Sequence, residues 1–171
     1  MTLETEDLLQ SILDSLDRID YIRPDDIPDI ELYMDQVTTF MDSRLKNAAR
    51  NPEVDKILTK TMINNYAKND LLPPPVRKKY SREHMLLLIF IYYFKNFLSI
   101  KDIETMLTPI TDKYFDTDKD FDITSIYKEV CELEKSRIPE FEKEIIRSYN
   151  TSKKSFVEIP EDDRDSLQLF A

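Results

Sequence analysis

The sequence predicts an all-α protein: a winged helix-turn-helix core with a shortened wing, packed by N-terminal and C-terminal helices. Three observations predict it. Apolar residues recur at helical spacing near both ends of the chain, from Leu8 to Ile19 and from Ile123 to Tyr149. Between them, Leu58 to Leu107 reads as a short helix, a proline-stiffened basic turn, a very apolar helix and a short capped helix. Strand patterning is absent apart from a possible short pair flanking the basic turn.

Taken in order, residues 4–19 place Leu8, Leu9, Ile12, Leu13, Leu16 and Ile19 on one side of an amphipathic helix. Arg23 to Pro28 is a turn, with Asp26 as the expected cap of a second helix and Pro28 in its first turn. That helix is expected to reach Lys46, presenting Ile30, Tyr33, Met34, Val37, Phe40, Met41 and Leu45, with a kink near Asp35. Asn47 to Asp55 is a polar connector. Thr59 caps a helix over 60–69 whose inner face is Met62, Ile63 and Tyr66. Pro73-Pro74-Pro75 stops it and stiffens an extended segment.

Ser81 caps a helix over 82–97, with Glu83 in its first turn. The run MLLLIFIYYF makes this helix apolar nearly all round, so it is expected to be buried on all sides. Ser99 with Asp102 caps a helix over 100–108, expected to end before Pro109. Residues 111–121 read as an acidic loop, and the last helix over 123–149 is expected to break or kink at Pro139. The predicted division is an N-terminal helix (1–22), a helix-turn-helix domain (23–110), a C-terminal helical region (111–150) and a flexible acidic tail (151–171) with a short apolar patch at Leu167–Phe170.

Composition narrows the function classes. At 171 residues and 41% hydrophobic, the chain can bury a real core. Glycine is absent, against an average usage of about 7%. Phosphate-cradling loops, dinucleotide fingerprints and nucleophile elbows need glycine at close approaches or positive φ, so its absence argues against those enzymes. A single Cys131 and a single His84 leave neither an internal disulfide nor a cysteine–histidine zinc site. Both read as structural residues. Asp116, Asp118, Asp120 and Asp122 lack the glycine and downstream glutamate of a calcium loop and read as a solvated acidic stretch. No cofactor, metal or enzymatic activity is expected. The N-terminus MTLETEDLL does not resemble a signal peptide, and the longest apolar run is about half a bilayer span. A cytoplasmic location without a membrane partner is expected.

Charge points to a partner. From Lys56 to Lys101 nine bases oppose two acids, a local +7 in a chain whose net charge is −10, which leaves −17 elsewhere. On the helix over 60–69, Lys60, Thr61, Asn64, Asn65 and Lys68 point outward, with Thr59 at its start. Asparagine can pair with adenine through two hydrogen bonds, while lysine and threonine suit phosphates. Arg77, Lys78, Lys79, Tyr80 and Arg82 lie on and just beyond a turn that can approach the backbone beside the groove. The same residues also fit a solvated helix face followed by a charged loop.

The phrases LTKTMINNYAKNDLLPPP, KKYSREHM and FLSIKDIETML resemble the DNA-binding head of MerR-type regulators, through Thr61, Tyr66, Leu71, Leu72, Pro73, Tyr80, Ser81, Ser99, Ile103 and Leu107. The resemblance covers about fifty residues and implies a transcriptional regulator that binds double-stranded DNA; the helix over 123–149 either pairs antiparallel with that of a second copy in a homodimer, as in that family, or folds back over the apolar core of its own chain. Asp70 stands where that pattern has glycine, and the wing is short and glycine-free. The phrases ELYMDQVTTFMD and LLPPPVRKKYS are also similar to a small bacterial family known as a domain of unknown function, over roughly residues 20–150. The alternative function is a protein-interaction or oligomerisation module on a degenerate winged-helix scaffold.

Overall fold

The computed structural model describes residues 5–17, 21–46, 57–160, 164 and 167–168. It divides into two compact units, one over Tyr21–Cys131 and one formed by Met1–Asp20 with Glu132–Ala171. The predicted connector Asn47–Asp55 lies outside the described residues, as do residues 169–170 of the apolar patch at Leu167–Phe170.

Among the described residues the elements are α1 (Thr5–Asp17), a 3₁₀ turn (Pro24–Asp26), β1 (Leu32–Tyr33), α2 (Met34–Leu45), α3 (Lys60–Lys68), β2 (Lys79–Tyr80), α4 (Arg82–Phe94), α5 (Ile100–Tyr114) and α6 (Ile123–Ser152). The architecture is all-α with one small two-stranded ladder, in an order compatible with a helix-turn-helix arrangement. The ladder is antiparallel, with Leu32 opposite Tyr80 and Tyr33 opposite Lys79.

The core of the Tyr21–Cys131 unit is built around α4. Nine consecutive residues, His84 to Tyr92, are buried, as a helix apolar on every side requires. Around it the core takes Val37, Met41 and Leu45 from α2, Ile63 and Tyr66 from α3, Ile103 and Leu107 from α5, and Ile123 and Tyr127 from α6. Tyr127 meets Phe90 with ring centroids 5.1 Å apart, and burial pushes its hydroxyl far above the ordinary tyrosine range.

Three helix starts obey the expected chemistry. The Thr59 hydroxyl accepts from the Met62 amide at 3.2 Å. The Ser81 hydroxyl accepts from the His84 amide at 3.4 Å, while the Ser81 amide donates to His84 Nδ1 at 3.0 Å. The Ser99 hydroxyl accepts from the Asp102 amide at 3.2 Å, and the Ser99 amide donates to Asp102 Oδ2 at 3.2 Å. Each pair satisfies amides that the first helical turn leaves open.

Three expectations need correction. The helix expected from Asp26 begins only at Met34. Pro28 disfavours helical backbone at Ile27, which is extended (φ −82°, ψ 129°), and Leu32–Tyr33 is drawn into the ladder. Ile30 and Tyr33, expected inside, are therefore 66% and 54% exposed. The helix expected to stop before Pro109 runs on to Tyr114. The carbonyl that Pro109 leaves unbonded belongs to Thr105, which is exposed to water, and packing Ile110 and Tyr114 against the core favours the continuous helix. Of the break or kink expected at Pro139, the break does not occur: α6 runs through that exposed position.

In the other unit, α1 carries Leu8, Leu9, Leu13 and Leu16 half-buried. The Lys153 ammonium donates to Glu6 at 2.9 Å, and that bond holds the Glu6 carboxyl below its usual range.

Candidate nucleic-acid interface

Helix α3 and the turn before β2 carry the predicted interface. Helix α3 ends where the chain reverses at Asp70, whose φ is 55°. The Leu71 amide reaches back to the Tyr66 carbonyl at 2.9 Å, with both side chains buried beneath it. This is a Schellman-type stop. Aspartate tolerates the left-handed region better than most residues, which answers the missing glycine. With its inner face fixed by Ile63 and Tyr66, α3 leaves Lys60, Thr61, Asn64, Asn65 and Lys68 exposed.

Where a shortened wing was expected, the chain makes a four-residue turn, Val76 to Lys79. The Lys79 amide donates to the Val76 carbonyl at 2.9 Å. Its central residues, Arg77 and Lys78, have φ of 52° and 65°. Positive φ at both central positions is the type I′ pattern, which matches the twist of flanking strands and ordinarily takes Asn-Gly. Here two long basic side chains occupy it, both exposed. No ion pair holds Lys68, Arg77 or Lys78 among the described residues.

Other predicted residues are engaged elsewhere. Tyr80 is only 3% exposed, because the strand alternation that turns Lys79 outward turns Tyr80 inward. Its ring packs edge-on to His84 with centroids 5.5 Å apart. It is therefore a core residue and is removed from the interface. Thr59 is half-buried and committed to its cap. Arg82 is tied down, with a guanidinium nitrogen 3.4 Å from the Ile27 carbonyl and 3.3 Å from Asp29. Lys79 lies 3.5 Å from Glu31 and 5.7 Å from the centre of the Tyr33 ring, and Lys60 pairs with Asp35.

Asp29, Glu31 and Asp35 are the charged residues that sequence reasoning missed. No local pattern marks them, because Asp29 and Glu31 lie in an irregular approach to β1 where Ile30 between them is exposed as well.

Among the described residues, no group of three or more acids, histidines or cysteines is placed to hold a metal ion. No helix there is long and apolar enough to cross a membrane.

The class defined by this geometry is an all-α domain with a small open hairpin. The family model described as a domain of unknown function, DUF1836, matches residues 22–130, nearly the whole of the compact unit Tyr21–Cys131. The chain belongs to the DUF1836 family. Comparison with curated proteins and with solved structures gives no match.

Proposed function

We propose that the protein is a transcriptional regulator that binds double-stranded DNA as a homodimer, with α3 entering the major groove and the Val76–Lys79 turn meeting the flanking phosphates. One observation carries the reading. Thr61, Asn64, Asn65 and Lys68 share the exposed side of one short helix, and Arg77 and Lys78 stand on an exposed turn without acidic partners among the described residues. Asn64 and Asn65 can present paired donor and acceptor groups to adenine, and the three bases supply phosphate contacts. The MerR-like pattern of Leu58–Leu107 supports the same assignment, although a fold alone does not specify a function.

The test replaces the basic turn without unfolding it. Arg77→Asn with Lys78→Gly installs the residues a type I′ turn prefers while removing both charges. In gel-shift or anisotropy titrations against genomic DNA fragments at two salt concentrations, the variant is expected to bind at least tenfold more weakly. Its dependence of log affinity on log salt is expected to be shallower by about 1.8, at ~0.9 for each lost phosphate contact. Unchanged affinity and slope would remove the turn from the interface, and absence of binding by the wild type would remove the DNA reading.

A protein-interaction module is the second reading. It is favoured by the acids that neutralise Lys60, Lys79 and Arg82 and by Leu133, Phe141 and Ile146, exposed on α6. A stable oligomer that retains no DNA at low salt would select it.

A further inference from the structure

Three of the bases predicted to face nucleic acid carry acid partners, and all three acids come from one short stretch of chain. Asp35 pairs with Lys60 on α3, Glu31 with Lys79 on β2 at 3.5 Å, and Asp29 with Arg82 on α4 at 3.3 Å. The bases belong to three different elements, so a single segment reaches three of the candidate bases and leaves Lys68, Arg77 and Lys78 without an acid partner among the described residues. The pairing of β1 with β2 holds it there. The acids remain open to water, with side-chain exposures of 76% for Asp35, 52% for Glu31 and 90% for Asp29.

We propose that residues 29–35 form a counter-charge strap that competes with nucleic-acid phosphates for Lys60, Lys79 and Arg82; the proposal rests on the DNA-binding reading above. Exposed ion pairs are weak and exchange readily, so phosphates can displace these acids. Displacement does not remove them. The β1–β2 pairing keeps Glu31 close to the surface that phosphates approach, and each acid then repels the polyanion within a screening length. The strap thus lowers affinity for every sequence, while α3 retains whatever base contacts it makes. Weak general binding with sequence-dependent gain is the expected result, because phosphates supply the nonspecific part of the affinity.

The acids can be neutralised without altering shape by Asp29→Asn, Glu31→Gln and Asp35→Asn together. Titrations of the wild type and the triple variant would use one pool of genomic DNA fragments, at low and at raised salt. Circular dichroism and thermal unfolding would establish that both are folded. The variant is expected to bind at least tenfold more tightly at low salt, with the gap closing as salt is added. Binding by the variant alone would support the strap still more directly. Equal affinities for two proteins that both bind would overturn the strap and leave the DNA reading standing. Absence of binding by both would overturn the DNA reading, and the strap with it.

Discussion

His84 shows how much one residue decides. It occupies the third position of α4 and is buried between two rings, with centroids 5.5 Å away at Tyr80 and 4.8 Å away at Phe115. Its Nδ1 accepts the Ser81 amide, so protonation at that nitrogen breaks the helix cap. Burial holds the imidazole below its ordinary pKa of 6.5, outweighing the opposing pull of the Pro74 and Pro73 carbonyls and of Asp116 and Glu31. The unfolded chain therefore binds more protons once pH falls below 6.5, and the native state loses stability there until the folded ring also titrates. Glu83 works in the opposite sense. Burial holds its carboxyl above the usual range, so its protonation on acidification favours the fold. His84→Gln separates the two, since glutamine at this position can still accept the Ser81 amide but does not titrate. Urea unfolding at about pH 7.5 and about pH 5.5 brackets the histidine range. The wild type is expected to lose more stability between the two than the variant, even though the variant starts lower through lost ring packing. Equal losses would show that His84 is not the acid-sensitive group.

At the scale of elements, boundaries set by local chemistry were legible and those set by distant partners were not. Thr59, Ser81 and Ser99 announce their helices because capping is local chemistry, complete within four residues. Pro109 misled because the penalty for an internal proline is also local, whereas packing of Ile110 and Tyr114 against the core belongs to the whole unit. The start of α2 was hidden for a similar reason. Leu32 and Tyr33 become a strand only through partners supplied from β2. The candidate interface divides the same way. Helical periodicity sufficed to expose Asn64 and Asn65, but the acids opposite Lys60, Lys79 and Arg82 depend on pairing between distant stretches. The apolar run in α4 was the strongest signal, and it makes a quantitative demand. Leu88 is fully buried, so Leu88→Ala is expected to cost about 2–5 kcal/mol. Phe97, just beyond the helix and 70% exposed, is expected to cost no more than about 0.5 kcal/mol when cut to alanine. Guanidinium or urea unfolding of both variants measures the difference. A Leu88 variant as stable as the Phe97 variant would contradict the central place of α4.

At the scale of the molecule, stability is concentrated in the unit that the family model covers. Among the described residues, every buried hydrophobic side chain lies between Ile22 and Tyr127. The unit Tyr21–Cys131 therefore owns a complete core, including the first turns of α6. The boundary predicted at residue 110 falls within α5 and leaves out Ile123 and Tyr127, both of which are buried. A fragment comprising residues 21–131 should fold alone and unfold in one cooperative transition, because small domains with a single core usually do so. A fragment ending at residue 110 should not, since it strips α6 from Phe90 and cuts α5 short. Each of the two lost side chains is worth about 1.5–3 kcal/mol of burial, a large share of the roughly 5–15 kcal/mol that holds a domain together. Thermal unfolding followed by circular dichroism, with two-dimensional amide spectra of both fragments, decides the matter. Dispersed amide signals from the shorter fragment would show that α6 is dispensable to the core. A disordered longer fragment would show that this core is not sufficient to hold the unit folded.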